Sequence, residues 1–286
     1  MTMNNVLVCI YSYKGKYLKD VVYQLRETQS NNNNIKVVIW DQNPLDRSKF
    51  FPDENYNHVL WDQIISPSVY KNLCIKDNFD YILFISDEIL LNESWDEKLI
   101  NLIKDKDIVL SGNKKIKIKS KNLFYLDKEY FENIEELSLT NFIDRSFVFA
   151  SKDIINKIKF PEYIKYHGEE EILSLKIFSK KINVYSVSQE IYSKHFENSF
   201  ISKYVPFSLD HNYNDAIDLL RHGYNRWENL GMGKKICEEF SQFHDFNFKQ
   251  IEYLPFLKND VEYDPYMLNF DRVDSRRFVA RTKAIH

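Results

Sequence analysis

Glycine and proline are scarce, 6 and 7 in a chain of 286 residues. That leaves little material for a long flexible linker or a Gly-rich phosphate loop. Neither GxGxxG nor GxxxxGK[ST] occurs, which sets aside dinucleotide and P-loop chemistry. Cysteine is nearly absent too: Cys9, Cys74 and Cys237 lie far apart without CxxC spacing. A disulfide framework and a zinc knuckle are thereby excluded, and buried reduced thiols are expected. No apolar run approaches the ~20 residues of a membrane span. The opening Met-Thr-Met-Asn-Asn has neither a charged n-region nor a long apolar h-region, so no membrane association is expected. Charge of either sign is not in excess: 39 Lys and Arg oppose 42 Asp and Glu, a net −3, so no global field draws the chain to nucleic acid. The expected location is the cytoplasm, the host's if the chain is viral, a source that its many Asn, Ile and Lys would suit.

What is present suits a well-packed body. The chain is 44% hydrophobic and 15% aromatic, with 28% charged residues, ordinary for a globular protein with a large core. Val6–Tyr11 reads as a buried strand, Lys16–Thr28 as a helix with apolar positions Leu18, Val21, Val22 and Leu25, and Ile35–Trp40 as a second strand. This β-α-β opening predicts parallel strands with a right-handed crossover. Ser66-Pro67 starts a helix that should run to about Lys76, with Ser at the N-cap and Pro at the first helical position. Tyr81–Ile85 is the next buried strand. Ser94-Trp-Asp-Glu97 has the spacing of a capping box for a helix through Leu99, Leu102 and Ile103. Further strands are expected at Asp107–Leu110, Arg145–Ser151, Ile182–Val187 and Ile191–Phe196, and helices at Lys152–Lys157 and from His167 through Phe178. Beyond residue 205 the pattern is mostly helical, at Asn214–His222 and Lys234–Phe243. The expected organisation is an α/β unit over 1–205 and a mainly helical C-terminal extension over 206–286, packed as one globular body.

Two features carry chemistry. The strand Tyr81–Ile85 stops at Ser86, then at two adjacent carboxylates, Asp87 and Glu88. Ligands gather at the carboxyl ends of strands in open α/β sheets, and acidic residues there suit a divalent cation held against a phosphate. The alternative is an ordinary polar turn ending a core strand. Asp41, at the end of the second strand, can accept hydrogen bonds from a base or ribose, or cap the Asn43-Pro44 turn. Lys114–Lys121 alternates lysine with isoleucine. This is either an edge strand guarded by lysine or the binding surface of a phosphate-rich acceptor such as DNA.

Several segments, in order, resemble the cytoplasmic hydroxyproline N-acetylglucosaminyltransferases, GT-A enzymes that modify a ubiquitin-ligase adaptor. Ser66-Pro-Ser-Val-Tyr-Lys71 is similar to that family's G-P-x-x-A-R. Tyr81–Glu88 resembles its metal strand ending in D-S-H, and Ser94-Trp-Asp-Glu-Lys-Leu its W-D-x-x-L helix. Phe147-Val-Phe-Ala-Ser resembles the strand before its G-E-E segment, and Gly168-Glu-Glu-Glu-Ile-Leu-Ser-Leu-Lys-Ile-Phe-Ser resembles G-E-E-I-S-M-A-A-R-L-W-T without a gap. Ile191-Tyr-Ser-Lys-His195 fits its late histidine, and Leu230-Gly-Met-Gly-Lys-Lys its G-L-G-x-x-R. The chain departs at Ser66 for Gly, Lys71 for Arg, Ser86 for Asp and Glu88 for His.

The resemblance implies a GT-A fold, Rossmann-like, with a mostly parallel central sheet flanked by helices. It implies sugar transfer from a nucleoside-diphosphate sugar, UDP-GlcNAc or similar, to a hydroxyl on a protein or glycan, with a hydroxylated base of viral DNA as an alternative acceptor. Asp87, Glu88 and His195 would then ligate a divalent cation, Mn2+ or Mg2+, imidazole favouring Mn2+. Tyr11, Asp41, Lys71, Ser86 and Gly168 would receive the donor. Glu169 and Glu170 are the candidate catalytic residues, undecided between them. If the anomeric centre inverts, one serves as base. With retention, which the family implies, the leaving diphosphate oxygen takes the proton and the glutamate orients the acceptor. Two further readings of the same carboxylates remain: a non-catalytic sugar-nucleotide-binding protein, and a metal-dependent hydrolase or nuclease.

Overall fold

The computed structural model describes residues 3–13, 17–60, 67–112, 115–120, 123–127, 137–140, 143–158, 160, 169–188 and 190–194, with residues 239 and 242 beyond them. The expected helices past residue 205 therefore lie outside the described residues, apart from Glu239 and Gln242, both helical and exposed.

The elements follow the chain as β1 (Asn4–Tyr13), α1 (Leu18–Thr28), β2 (Asn33–Asn43), a 3-10 turn (Ser48–Phe50), β3 (Asn55–Leu60), α2 (Pro67–Cys74), β4 (Tyr81–Ser86), β5 (Ile89–Leu91) and α3 (Trp95–Ile103). Then come β6 (Ile108–Ser111), β7 (Lys115–Ser120), β8 (Leu123–Asp127), β9 (Leu137–Leu139), β10 (Phe147–Ser151), α4 (Lys152–Lys157), α5 (Glu169–Ser179), β11 (Asn183–Val187) and β12 (Tyr192–Lys194). An eight-stranded sheet runs β3-β2-β1-β4-β10-β6-β11-β9. The pairs β1–β2, β1–β4, β2–β3 and β6–β11 are parallel, while β10 is antiparallel to both β4 and β6. The fold class expected from the sequence is the one observed.

The apolar runs explain the layering. Along β1, Val6, Val8 and Ile10 enter one core with α1 and α3, and Leu7 and Cys9 enter the opposite core with Cys74, Ile154 and Leu173. A strand buried on both faces must be apolar throughout, so it reads as a run rather than an alternation. Phe147 and Phe149 of β10 are fully buried, each contributing roughly 2–3 kcal/mol by removal from water. Among the described residues Cys9 and Cys74 are free and buried, as expected. Burial, then the hydrogen bond its S–H donates to Cys74, pushes the Cys9 thiol well up.

One local expectation fails. Ser94 stands at the N-cap of α3, but at φ 55° and without a side-chain cap bond. A capping side chain needs extended backbone to fold over the first turn, and the left-handed conformation denies it that. Glu97 instead bonds Asn32, and Asp96 takes Ser30 N–H at 2.8 Å, Ser30 Oγ–H at 2.6 Å and Asn33 Nδ2–H at 2.7 Å. The first turn of α3 is thus spent on fastening the α1–β2 connection.

Candidate functional site

Parallel β1, β2 and β4 end at one edge of the sheet. Antiparallel β10 starts there, since Phe147 pairs with Ile85. β6 ends there as well, since Ser111 pairs with Val148. The edge therefore collects Tyr11–Tyr13, Asp41, Ser86–Glu88, Gly112 and the 143–146 turn. In a sheet of this type, such an edge is where a ligand meets strand-end side chains and helix N-termini.

Asp87 is 4% exposed and accepts a 3.0 Å hydrogen bond from Ser12 Oγ, across from the end of β1. Burial, then the charge of the neighbouring Glu88, pushes its carboxyl up to about 7. A carboxylate buried beside a second one gains from a nearby cation. Ser86 Oγ, beside it, is a buried hydroxyl with no partner among the described residues. Lys194, next in the chain to His195, pairs with Ile89, next in the chain to Glu88. His195 itself lies outside the described residues, as do Ser66 and Gly168.

These groups fit a hard divalent cation in one specific way. Among the described residues no group of three or more His, Cys, Asp or Glu is placed to cage an ion. Mg2+ and related cations, however, are commonly held by one or two carboxylates plus substrate phosphates, a part that the adjacent strand-end carboxylates Asp87 and Glu88 would fit.

Asp41 is wholly buried at the end of β2. Its carboxylate receives Arg47 Nε–H at 2.7 Å and Nη2–H at 2.6 Å in a two-pronged pair, and Tyr56 O–H at 2.7 Å. Arg47 Nη2 also lies 3.5 Å from Ser12 Oγ, so the β2 end and the β4 end are linked across β1. Burial opposes the Arg47 charge, yet Asp41 holds the guanidinium above its ordinary value. Burial and the Asp41 bond push the Tyr56 hydroxyl up to about 12. The Asn43-Pro44 turn is capped by Asn43 instead, whose Oδ1 takes Leu45 N–H at 3.1 Å. The sequence offered one signal for Arg47: a basic residue six positions past a strand-end acid.

On the other face of the same edge, Tyr11 stacks on Tyr70 at 5.6 Å, and Tyr70 on Trp40 at 4.6 Å. Tyr11 pairs with both Trp40 and Ser86 across the sheet, so these three form one row under α2. Lys71, on the middle of α2, is 5% exposed with its ammonium 5.1 Å above the Phe160 ring. Packing, not solvent, therefore fixes its position. Glu169 is the first residue of α5, its side chain outside the described set, and Glu170 is buried with Oε1 accepting Arg145 N–H at 2.9 Å. Within the Lys114–Lys121 stretch, Lys115–Ser120 form β7, paired antiparallel with β8 in a separate two-stranded sheet. Tyr11, Asp41, Lys71, Ser86, Asp87, Glu88 and the glutamates thus come from β1, β2, α2, β4 and α5 or their ends.

No family model and no curated protein matches the chain by sequence. Solved structures do match by shape. A crystal structure of GalNAc-T7 with UDP, GalNAc and Mn2+ superposes with a TM-score of 0.59 at 11% identity, covering 86% of this chain and 55% of that one. A crystal structure of S. aureus TarS 1-349 in complex with UDP-GlcNAc gives 0.53 at 16% identity, covering 76% of this chain and 66% of that one. The chain thus spans less than two thirds of either matched structure. At these identities the likeness is one of architecture, and with the sheet order it establishes that the chain has a GT-A fold.

Proposed function

We propose that the chain is a glycosyltransferase that moves a sugar from a nucleoside-diphosphate sugar, UDP-GlcNAc or a close relative, to a hydroxyl acceptor. The observation that carries this reading is the Asp87–Glu88 pair at the carboxyl edge of a GT-A sheet, with Asp87 pushed up to about 7 by burial and by its neighbour's charge. The neighbours' bound UDP, UDP-GlcNAc and Mn2+ support the donor class.

In this reading Asp87 and Glu88 hold a divalent cation, Mn2+ or Mg2+, and Ser12 orients the Asp87 carboxylate. The pairing of Lys194 with Ile89 supports His195 as a third ligand, a set that favours Mn2+. Such a cation, when bound, supplies neutralisation of the charge that builds on the leaving diphosphate. Tyr11 offers its ring to the nucleoside, Asp41 shapes the nucleoside pocket through Arg47 and Tyr56, and Lys71 lends positive charge beside the diphosphate. Ser86 Oγ, with no partner among the described residues, is suited to a donor hydroxyl. Gly168 contacts the donor, and Glu169, the first of the two candidate glutamates, serves the acceptor side. The transfer proceeds with retention, the leaving diphosphate oxygen taking the acceptor proton.

The acceptor is a hydroxyl on a protein or glycan, met in the cytoplasm. A hydroxylated DNA base is the alternative that the β7 lysines would serve, and it requires affinity for DNA that falls steeply with salt. The test is turnover of UDP-sugars with Mn2+ by wild type, Asp87→Ala and Glu88→Ala. Equal transfer and equal donor hydrolysis in all three would remove the assignment.

A further inference from the structure

Five consecutive backbone N–H groups, from Ile143 to Phe147, each have a partner. Ile143 N–H donates to Ser174 Oγ at 3.0 Å, Asp144 N–H to Ser111 Oγ at 2.7 Å and Arg145 N–H to Glu170 Oε1 at 2.9 Å. Ser146 N–H donates to Asp144 Oδ1 at 2.8 Å and Phe147 N–H to Asp144 O at 3.0 Å. The first three acceptors are side chains of α5 and β6, distant in sequence. Turns at a sheet edge ordinarily leave such groups to water. Ser174 and Glu170 are one helical turn apart, and Ser174 O–H returns a 2.5 Å bond to Glu170 O. On the other side of the turn, Ser146 O accepts Ser86 N–H at 3.0 Å. Gly112 N–H donates to Phe147 O at 3.0 Å. A continuous path of hydrogen bonds thus leads from the start of α5, through the 143–146 turn, to the strand end that bears Asp87.

We infer that Glu170 is a positioning residue: its carboxylate clamps the 143–146 turn and thereby sets the Ser86–Asp87 strand end. This rests on the proposed sugar transfer for its kinetic consequence, but not for its geometry. One carboxylate oxygen is committed to the Arg145 amide and the residue is buried among α5 and the turn. Its job needs an oxygen at that place, not a titrating group. A Gln side chain has the same length and offers an amide oxygen to the same N–H. An Ala offers nothing, so the turn loses its Arg145 bond to α5 and keeps the Ile143–Ser174 bond.

The test compares Glu170→Gln and Glu170→Ala in UDP-sugar turnover with Mn2+ and in amide hydrogen exchange at Arg145 and Ser86. The expected result is Glu170→Gln within about threefold of wild type in kcat/KM, and Glu170→Ala down about tenfold or more with the donor KM raised. Glu170→Gln as inactive as Glu170→Ala, with Arg145 protection kept, would overturn the inference, because carboxylate chemistry would then be the requirement. If the wild type turns over no donor, the proposed function fails while the exchange measurement still decides this one. Protection at Arg145 and Ser86 kept in Glu170→Gln and lost in Glu170→Ala supports it, and protection unchanged in Glu170→Ala overturns it.

Discussion

Replacing Arg47 by Ala leaves the Asp41 carboxylate fully buried with Tyr56 O–H as its remaining partner among the described residues, after two charge-assisted bonds of 2.6 and 2.7 Å are lost. Removing one partner of a buried ion pair costs about 3–5 kcal/mol, because the stranded charge stays out of water. Arg47 retains some exposure, its side chain 20% accessible against 0% for Asp41, so water relieves part of the loss and the lower end, about 3 kcal/mol, applies. For a domain of this size that is roughly 6–12 °C in melting temperature. Urea unfolding of wild type, Arg47→Ala, Asp41→Asn and the double variant gives the full cycle. The double variant should be more stable than Arg47→Ala alone, since Asp41→Asn removes the stranded charge. A cost for Arg47→Ala below about 0.5 kcal/mol would show that Asp41 is solvated in solution and that the buried pair is misjudged.

Two further perturbations follow from the same edge. Because the folded state holds the Asp87 proton up to about 7 against an ordinary 3.8, the part of the metal-free protein's stability that depends on Asp87 should be greatest below pH about 4. It should lose about 4 kcal/mol as the pH rises to about 7; Asp87→Asn should abolish that part of the slope, and an unchanged slope in the variant would place the titration elsewhere. A Cβ at Gly112 would stand 2.8 Å from Asp144 Oδ2, a carboxylate already fixed by Ser146. Gly112→Ala should therefore cost about 1–3 kcal/mol in urea unfolding, and a neutral result would mean that the 143–146 turn yields freely.

The elements most legible in the sequence are those whose signal is local. α1 keeps the apolar spacing of Leu18, Val21, Val22 and Leu25, all buried, and the runs of β1 and β4 announce strands covered on both faces. β3, Asn55–Leu60, is mostly polar at an edge of the sheet and carries no such signal. The antiparallel setting of β10 was equally hidden, since nothing in Phe147–Ser151 says which strands it will join. At the site, Asp87 and Glu88 were legible as a strand end with surplus charge. Arg47 was not, because its role depends on a loop folding back over Asp41, and Glu170 could not be told from Glu169 until its partner, the Arg145 amide, was in view. Ser94 shows the reverse failure: the capping-box spacing was present, but the left-handed backbone at the cap left it unused.

The central claim is that a nucleoside diphosphate binds at the Ser86–Glu88 strand end together with a divalent cation. Calorimetric titration of UDP into the protein, with Mn2+ and then with the metal chelated, in wild type and Asp87→Ala, tests it most directly. The account predicts binding by wild type that weakens about tenfold or more on chelation and equally in Asp87→Ala. The same affinity in all of these conditions, or no UDP binding by wild type at any Mn2+ concentration, would contradict it.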